Sequence, residues 1–128
     1  VVATNIIDKI QITNASVERL SESTVHLKWR KGADLEVKDI DEMHVAFKQI
    51  TNGQQVKVVS EFEPFVSITS EAREYAASTS PDLIALAYVI HSLSQRIIIR
   101  FYIKMKKKKH PTKVFDSFDQ AVNWLDNC

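Results

Sequence analysis

Leu83-Ile84-Ala85-Leu86-Ala87-Tyr88-Val89-Ile90 is an almost unbroken apolar run directly after Pro81-Asp82. A run of this length, apolar on both faces, suits a central parallel strand covered from both sides. His91-Ser92 follows at once. Ser92 and Gln95 have the spacing of a capping box, which opens a helix reaching to about Met105. Beyond it, Thr112 to Phe115 reads as the last strand. Ser117 with Gln120 gives another box, and Phe118, Ala121, Val122 and Leu125 form the buried stripe of a final helix.

The same alternation runs backwards along the chain. Val56 to Phe62 is a strand, followed by a short loop and by Thr69 or Ser70 as the cap of a helix whose Ala72 and Ala76 leave it a thin face. Before that strand, Asp39 with Glu42 has box spacing and is expected to open a helix. Ile40, Met43, Phe47 and Ile50 recur along it, and Asn52-Gly53 ends it. Val17 to Leu20 and Thr24 to Arg30 flank the turn Ser21-Glu22-Ser23 as a hairpin, and Leu35 to Lys38 fits a further short strand. In the second hairpin strand Val25, Leu27 and Trp29 share one face. His26, Lys28 and Arg30 share the other, which is expected to be wet. Alternating strands and helices imply right-handed crossovers. The expected fold is therefore α/β: a mixed, mostly parallel sheet with an N-terminal antiparallel hairpin and about four helices.

The 128 residues fit one domain, with residues 1–13 as an extension to it. Hydrophobic residues at 45% and charged residues at 26% are ordinary globular values. The net charge of +1 gives no overall bias towards nucleic acid, and no nucleic-acid partner is expected. No window approaches the ~20 apolar residues of a membrane span. The one cysteine, Cys128, excludes an internal disulfide, and Val1 to Thr13 lacks the basic start and long apolar centre of a signal peptide. A reducing, cytoplasmic setting is the expectation.

The run Ser67-Ile68-Thr69-Ser70-Glu71-Ala72-Arg73-Glu74-Tyr75 places hydroxyls where a strand hands over to a helix. Together with Ser92, Ser94, Arg96, Phe101-Tyr102, Pro111-Thr112-Lys113-Val114-Phe115 and Ala121 to Leu125, it makes the chain from about Lys31 to Leu125 resemble the small bacterial STAS-like, or anti-sigma-factor-antagonist-like, domains. These share their fold with CRAL-TRIO lipid-transfer domains. The resemblance implies a non-enzymatic regulatory or protein-interaction module, with a carrier or sensor of a lipid or other apolar ligand as the alternative. In phosphorylated relatives a Ser at the start of the second helix is the switch, and Thr69 and Ser70 stand in the comparable place. The Asp immediately before and the Gly after are missing, and Glu61 stands where relatives usually carry Asp. Ile99, Arg100 and Lys104 replace the small or amide residues of the relatives' third helix.

Read as chemistry, Thr69 and Ser70 are candidates for a phosphorylation or anion site, since a helix N-terminus favours negative charge. The competing reading is a plain N-cap. A Ser–His–Asp reading would join the loop at Ser67 to Ser70 with His91 and Asp116. Neither glycine, Gly32 nor Gly53, stands near a serine to form a nucleophile elbow. His26, His44, His91 and His110 lie on different elements without metal-ligand spacing. No catalytic residue, metal or cofactor is expected.

In the third helix Arg96, Arg100 and Lys104 fall at i, i+4 and i+8, continued by the lysines at 106–109, while Ile99, Tyr102 and Ile103 belong to an apolar surplus. That surface could be a solvated face, a contact for a second copy or another protein, or a lipid surface. A closed apolar pocket between this helix and the sheet would favour the carrier. A filled core with an exposed Ile/Tyr patch would favour the interaction module and a homodimer.

Overall fold

The computed structural model describes residues 8–105 and 110–128, and in it the apolar run contains β7 (Ala85–Val89), every residue of which is buried. Its parallel neighbours are β5 (Lys57–Phe62) and β8 (Thr112–Phe115), so it lies inside the sheet, as its two apolar faces require. On the other side of β5 come β3 (Thr24–Trp29), β2 (Ala15–Arg19) and β1 (Lys9–Gln11), giving the order β1-β2-β3-β5-β7-β8. The pairs β1–β2 and β2–β3 are antiparallel and the others parallel. Over the described residues the fold is a mixed-sheet α/β with four helices. Two-residue strands β4 (Asp34–Leu35) and β6 (Ser67–Ile68) form a small parallel pair beside the main sheet.

Side-chain alternation divides the sheet. Val25, Leu27, Trp29, Val58, Leu86 and Tyr88 point to one face, in a core shared with α1 (Val37–Thr51), α2 (Ser70–Thr79) and α3 (Leu93–Met105). Val59, Ala85, Ala87 and Val89 point to the other and meet Ala121 and Leu125 of α4 (Phe118–Asp126). Three alanines in that second group let α4 approach the sheet closely.

Local sequence explains the helix starts. Thr69 Oγ1 accepts from the Ala72 amide at 3.0 Å, and Ser117 Oγ from the Gln120 amide at 3.2 Å. The first helix begins two residues before the expected Asp39. Glu36 is its N-cap, and the Glu36 amide donates to Asp39 Oδ2 at 2.8 Å. Asp39 is thus the third residue of the helix and is buried. Glu42, expected to be its box partner, instead accepts from Thr13 at 3.1–3.2 Å, outside the helix. Asn52 closes the helix in the left-handed conformation at φ 51°, followed by Gly53 at φ 81°.

Three other expectations shift. Part of the N-terminal stretch expected to be an extension is β1, an edge strand. Of Leu35 to Lys38, only Leu35 is in a strand, because the helix claims the residues from Val37. The face of β3 expected to be wet is partly covered: the His26 ring packs 4.7 Å from that of Phe118 on α4.

Candidate functional site

α3 packs on the same sheet face as α1 and α2. Between it, α1, α2 and the sheet is a pocket of about 140 Å³. Its sheet wall is Leu27, Val58 and Leu86, and α1 contributes Ile40, Met43 and Phe47. Ile98, Ile99 and Tyr102 of α3 form the opposite wall, while exposed Ser80 and Pro81 stand at the rim. Ala76 of α2 also lines it, and the shortness of this side chain leaves room between helix and sheet.

A few polar groups punctuate the apolar lining: Ser60, His44, Arg73 and the hydroxyl-bearing Tyr88 and Tyr102. Burial pushes both tyrosines above the ordinary phenol value of 10.0 and keeps them neutral donors. Burial also lowers His44 below 6.5, against the opposing pull of Asp41, so its ring is held towards the neutral form. Arg73 donates to the Ile68 carbonyl at 3.3 Å and to Ser70 Oγ at 3.2 Å, and so brings a fixed cation to the pocket. An apolar chamber with few convergent polar groups is the usual form of a small-molecule site.

α3 is attached to this chamber by its first turn. Gln95 is buried, accepts from the His91 amide at 2.9 Å and donates to the Glu63 carbonyl at 2.9 Å. Its own amide donates to Ser92 Oγ at 3.2 Å, the capping half of the expected box. Ile99, Tyr102 and Ile103 are half-buried, whereas Arg100 and Lys104 are exposed. Arg96 is half-buried and ion-paired to Asp116. The six residues expected to form one surface are therefore split between the two sides of the helix. The lysines at 106–109 lie outside the described residues.

On the opposite sheet face the structure assembles a group that sequence reading does not connect. Buried Glu61 accepts from His26 Nε2 at 2.9 Å through one carboxylate oxygen and from His91 Nε2 at 2.7 Å through the other. A carboxylate can only accept, so the proton sits on Nε2 of each ring. Burial pushes the Glu61 carboxyl up, but the hydrogen bonds from His91 and His26 outweigh it and hold the group below its ordinary 4.5. For His26, burial outweighs the Glu61 hydrogen bond and lowers the ring below 6.5. The result is an ionised carboxylate with a neutral His26 beside it, joining the middle of β3, the end of β5 and the loop after β7. Among the described residues no group of three His, Cys, Asp or Glu side chains is arranged to hold a metal ion.

The serine, histidine and aspartate considered for nucleophilic chemistry separate: Ser67 bonds to Asp34, His91 to Glu61 and Asp116 to Arg96. Thr69 and Ser70 remain exposed at the start of α2, with Thr69 serving as cap and Ser70 beside Arg73. No curated protein and no solved structure matches the chain. Residues 19–128 match the family described as Domain of unknown function (DUF7793), and the chain belongs to that family.

Proposed function

We propose that this domain is a small carrier or sensor of an apolar ligand, held in the pocket between α3 and the sheet. The observation that carries this reading is the pocket itself, about 140 Å³ with a largely apolar lining. Its size selects the guest, because an engineered apolar cavity of ~150 Å³ takes up benzene. The fitting ligand is a single ring or the end of a short aliphatic chain, with one polar group that meets Ser60, His44 or Arg73. A whole diacyl lipid is too large for the chamber in this form. The pocket opens past Ser80 and Pro81 rather than being closed, and the exposed apolar side chains of α3 suit the other reading, an interaction module. The filled core which that reading requires is absent, because the space beneath α3 is unfilled.

Titration of isotopically labelled protein with benzyl alcohol and hexanol tests the proposal. Binding should shift the methyl resonances of Leu27, Val58, Leu86 and Ile99 together, and leave those of Val59 and Leu125 on the far face in place. Unchanged Leu27, Val58, Leu86 and Ile99 signals at millimolar ligand would refute it. Native mass spectrometry of the purified chain would add the mass of any retained guest and the subunit number.

A further inference from the structure

The outward side of α3 is apolar where a surface helix is normally polar. Leu93, Ile97 and Phe101 stand at i, i+4 and i+8 and are 72%, 60% and 65% exposed. They form one contiguous row along the helix. Immediately beside it, at the same spacing, run Arg96, Arg100 and Lys104. Singly exposed apolar residues need no explanation, but a continuous row does.

Charge is segregated along the sequence, and this helix belongs to its cationic part. From Leu83 to Phe115 there are eight Lys or Arg residues and no Asp or Glu, a formal +8. The rest of the chain holds the other nine Lys or Arg and all sixteen Asp or Glu, a formal −7, and the two sum to the +1 of the whole. The nearly neutral total conceals a strongly cationic segment that contains the exposed apolar row.

We propose that the outward face of α3 is a docking surface for an anionic lipid membrane. Leu93, Ile97 and Phe101 would enter the headgroup–acyl boundary, while Arg100 and Lys104 meet lipid phosphates or carboxylates. A row of apolar side chains flanked by cations is the pattern of helices that lie in the plane of a bilayer. The 13-residue helix is about 20 Å long, enough to lie on a membrane and too short to cross one. Each cation near an anionic surface is worth roughly fivefold in affinity at low salt. The proposal stands whether or not the pocket holds a ligand, since the two use opposite sides of the helix.

The test is co-sedimentation of the 128-residue chain with vesicles of 30% phosphatidylserine in phosphatidylcholine, alongside pure phosphatidylcholine. Binding is expected only to the anionic vesicles, falling as NaCl is raised. The double variant Ile97→Ser/Phe101→Ser should weaken partitioning by about tenfold or more at an unchanged unfolding midpoint. Arg100→Gln/Lys104→Gln should weaken it to a similar degree. Three results would overturn the proposal. One is no binding to anionic vesicles. Another is full binding by Ile97→Ser/Phe101→Ser, which would mean adsorption by lysine charge alone. The third is a dimer that dissociates in that variant while the wild-type chain ignores vesicles, which would make a second copy the occupant of the face.

Discussion

Ile97 and Ile99 are two residues apart on α3 and face opposite environments: Ile99 lines the pocket, while Ile97 is 60% exposed. The same substitution at each should therefore have different consequences. Ile97→Ala is expected to change stability by no more than about 0.5 kcal/mol. Ile99→Ala, by removing half-buried packing, should cost about 1–2 kcal/mol, towards the low end for core truncations because the site already borders open space. Urea denaturation of the two variants measures the contrast.

Stability should fall on acidification in two stages. His26 is held below 6.5 by burial, so the unfolded chain takes up that proton first and stability declines as pH drops below 6.5. His44, lowered by burial as well, acts in the same direction. Glu61 is held below 4.5 by its two histidines once their hydrogen bonds outweigh burial. Its contribution is complete above 4.5 and is lost as pH falls through its lower folded value. Thermal midpoints from pH 8 to pH 3 should show both declines.

Glu61→Gln should remove the second of these stages and cost about 2 kcal/mol near neutral pH, since it replaces hydrogen bonds to a buried charge. Unfolding midpoints of the variant across the same pH series measure this. A variant as stable as the parent, with an unchanged acid limb, would show that the carboxylate has no such role.

Replacing Leu86 by Asp should prevent folding. Leu86 is buried on an interior strand, and an unpaired carboxylate there is strongly unfavourable. Loss of cooperative unfolding in circular dichroism is the expected result.

Thr69→Ala should cost about 1 kcal/mol by removing the acceptor of the Ala72 amide, and Thr69→Asp should restore most of it. If Thr69 also serves as a switch, the Asp variant will change ligand or vesicle binding at constant stability. The two variants separate these roles in denaturation and binding assays run side by side.

The parts of the fold legible in the sequence are those whose signal is local. The double-faced run of β7, the caps at Thr69 and Ser117, and the α4 stripe each follow from residues within a few positions of one another. The missed parts depend on distant pairing. β1 has a single apolar side chain, Ile10, in three residues, and only its partner β2 gives it a strand's place. β4 and β6 are two residues each, joined across 33 positions. Glu61 meets histidines 35 and 30 positions away, so the cluster exists only once the register of three strands is fixed. One clue was present: an acid at the end of an apolar strand needs a partner. The pocket had a fainter one in the short side chains of α2.

Gln95 gives α3 a mechanical asymmetry. The first turn is clamped through the His91 amide and the Glu63 carbonyl, whereas Ile99 and Ile103 farther along are held by apolar packing. Packing of that kind can slide with little loss, while a directional hydrogen bond cannot. Gln95 thus sets the angle at which α3 leaves the sheet, and with it the distance of Ile98 and Ile99 from the opposite wall of the pocket.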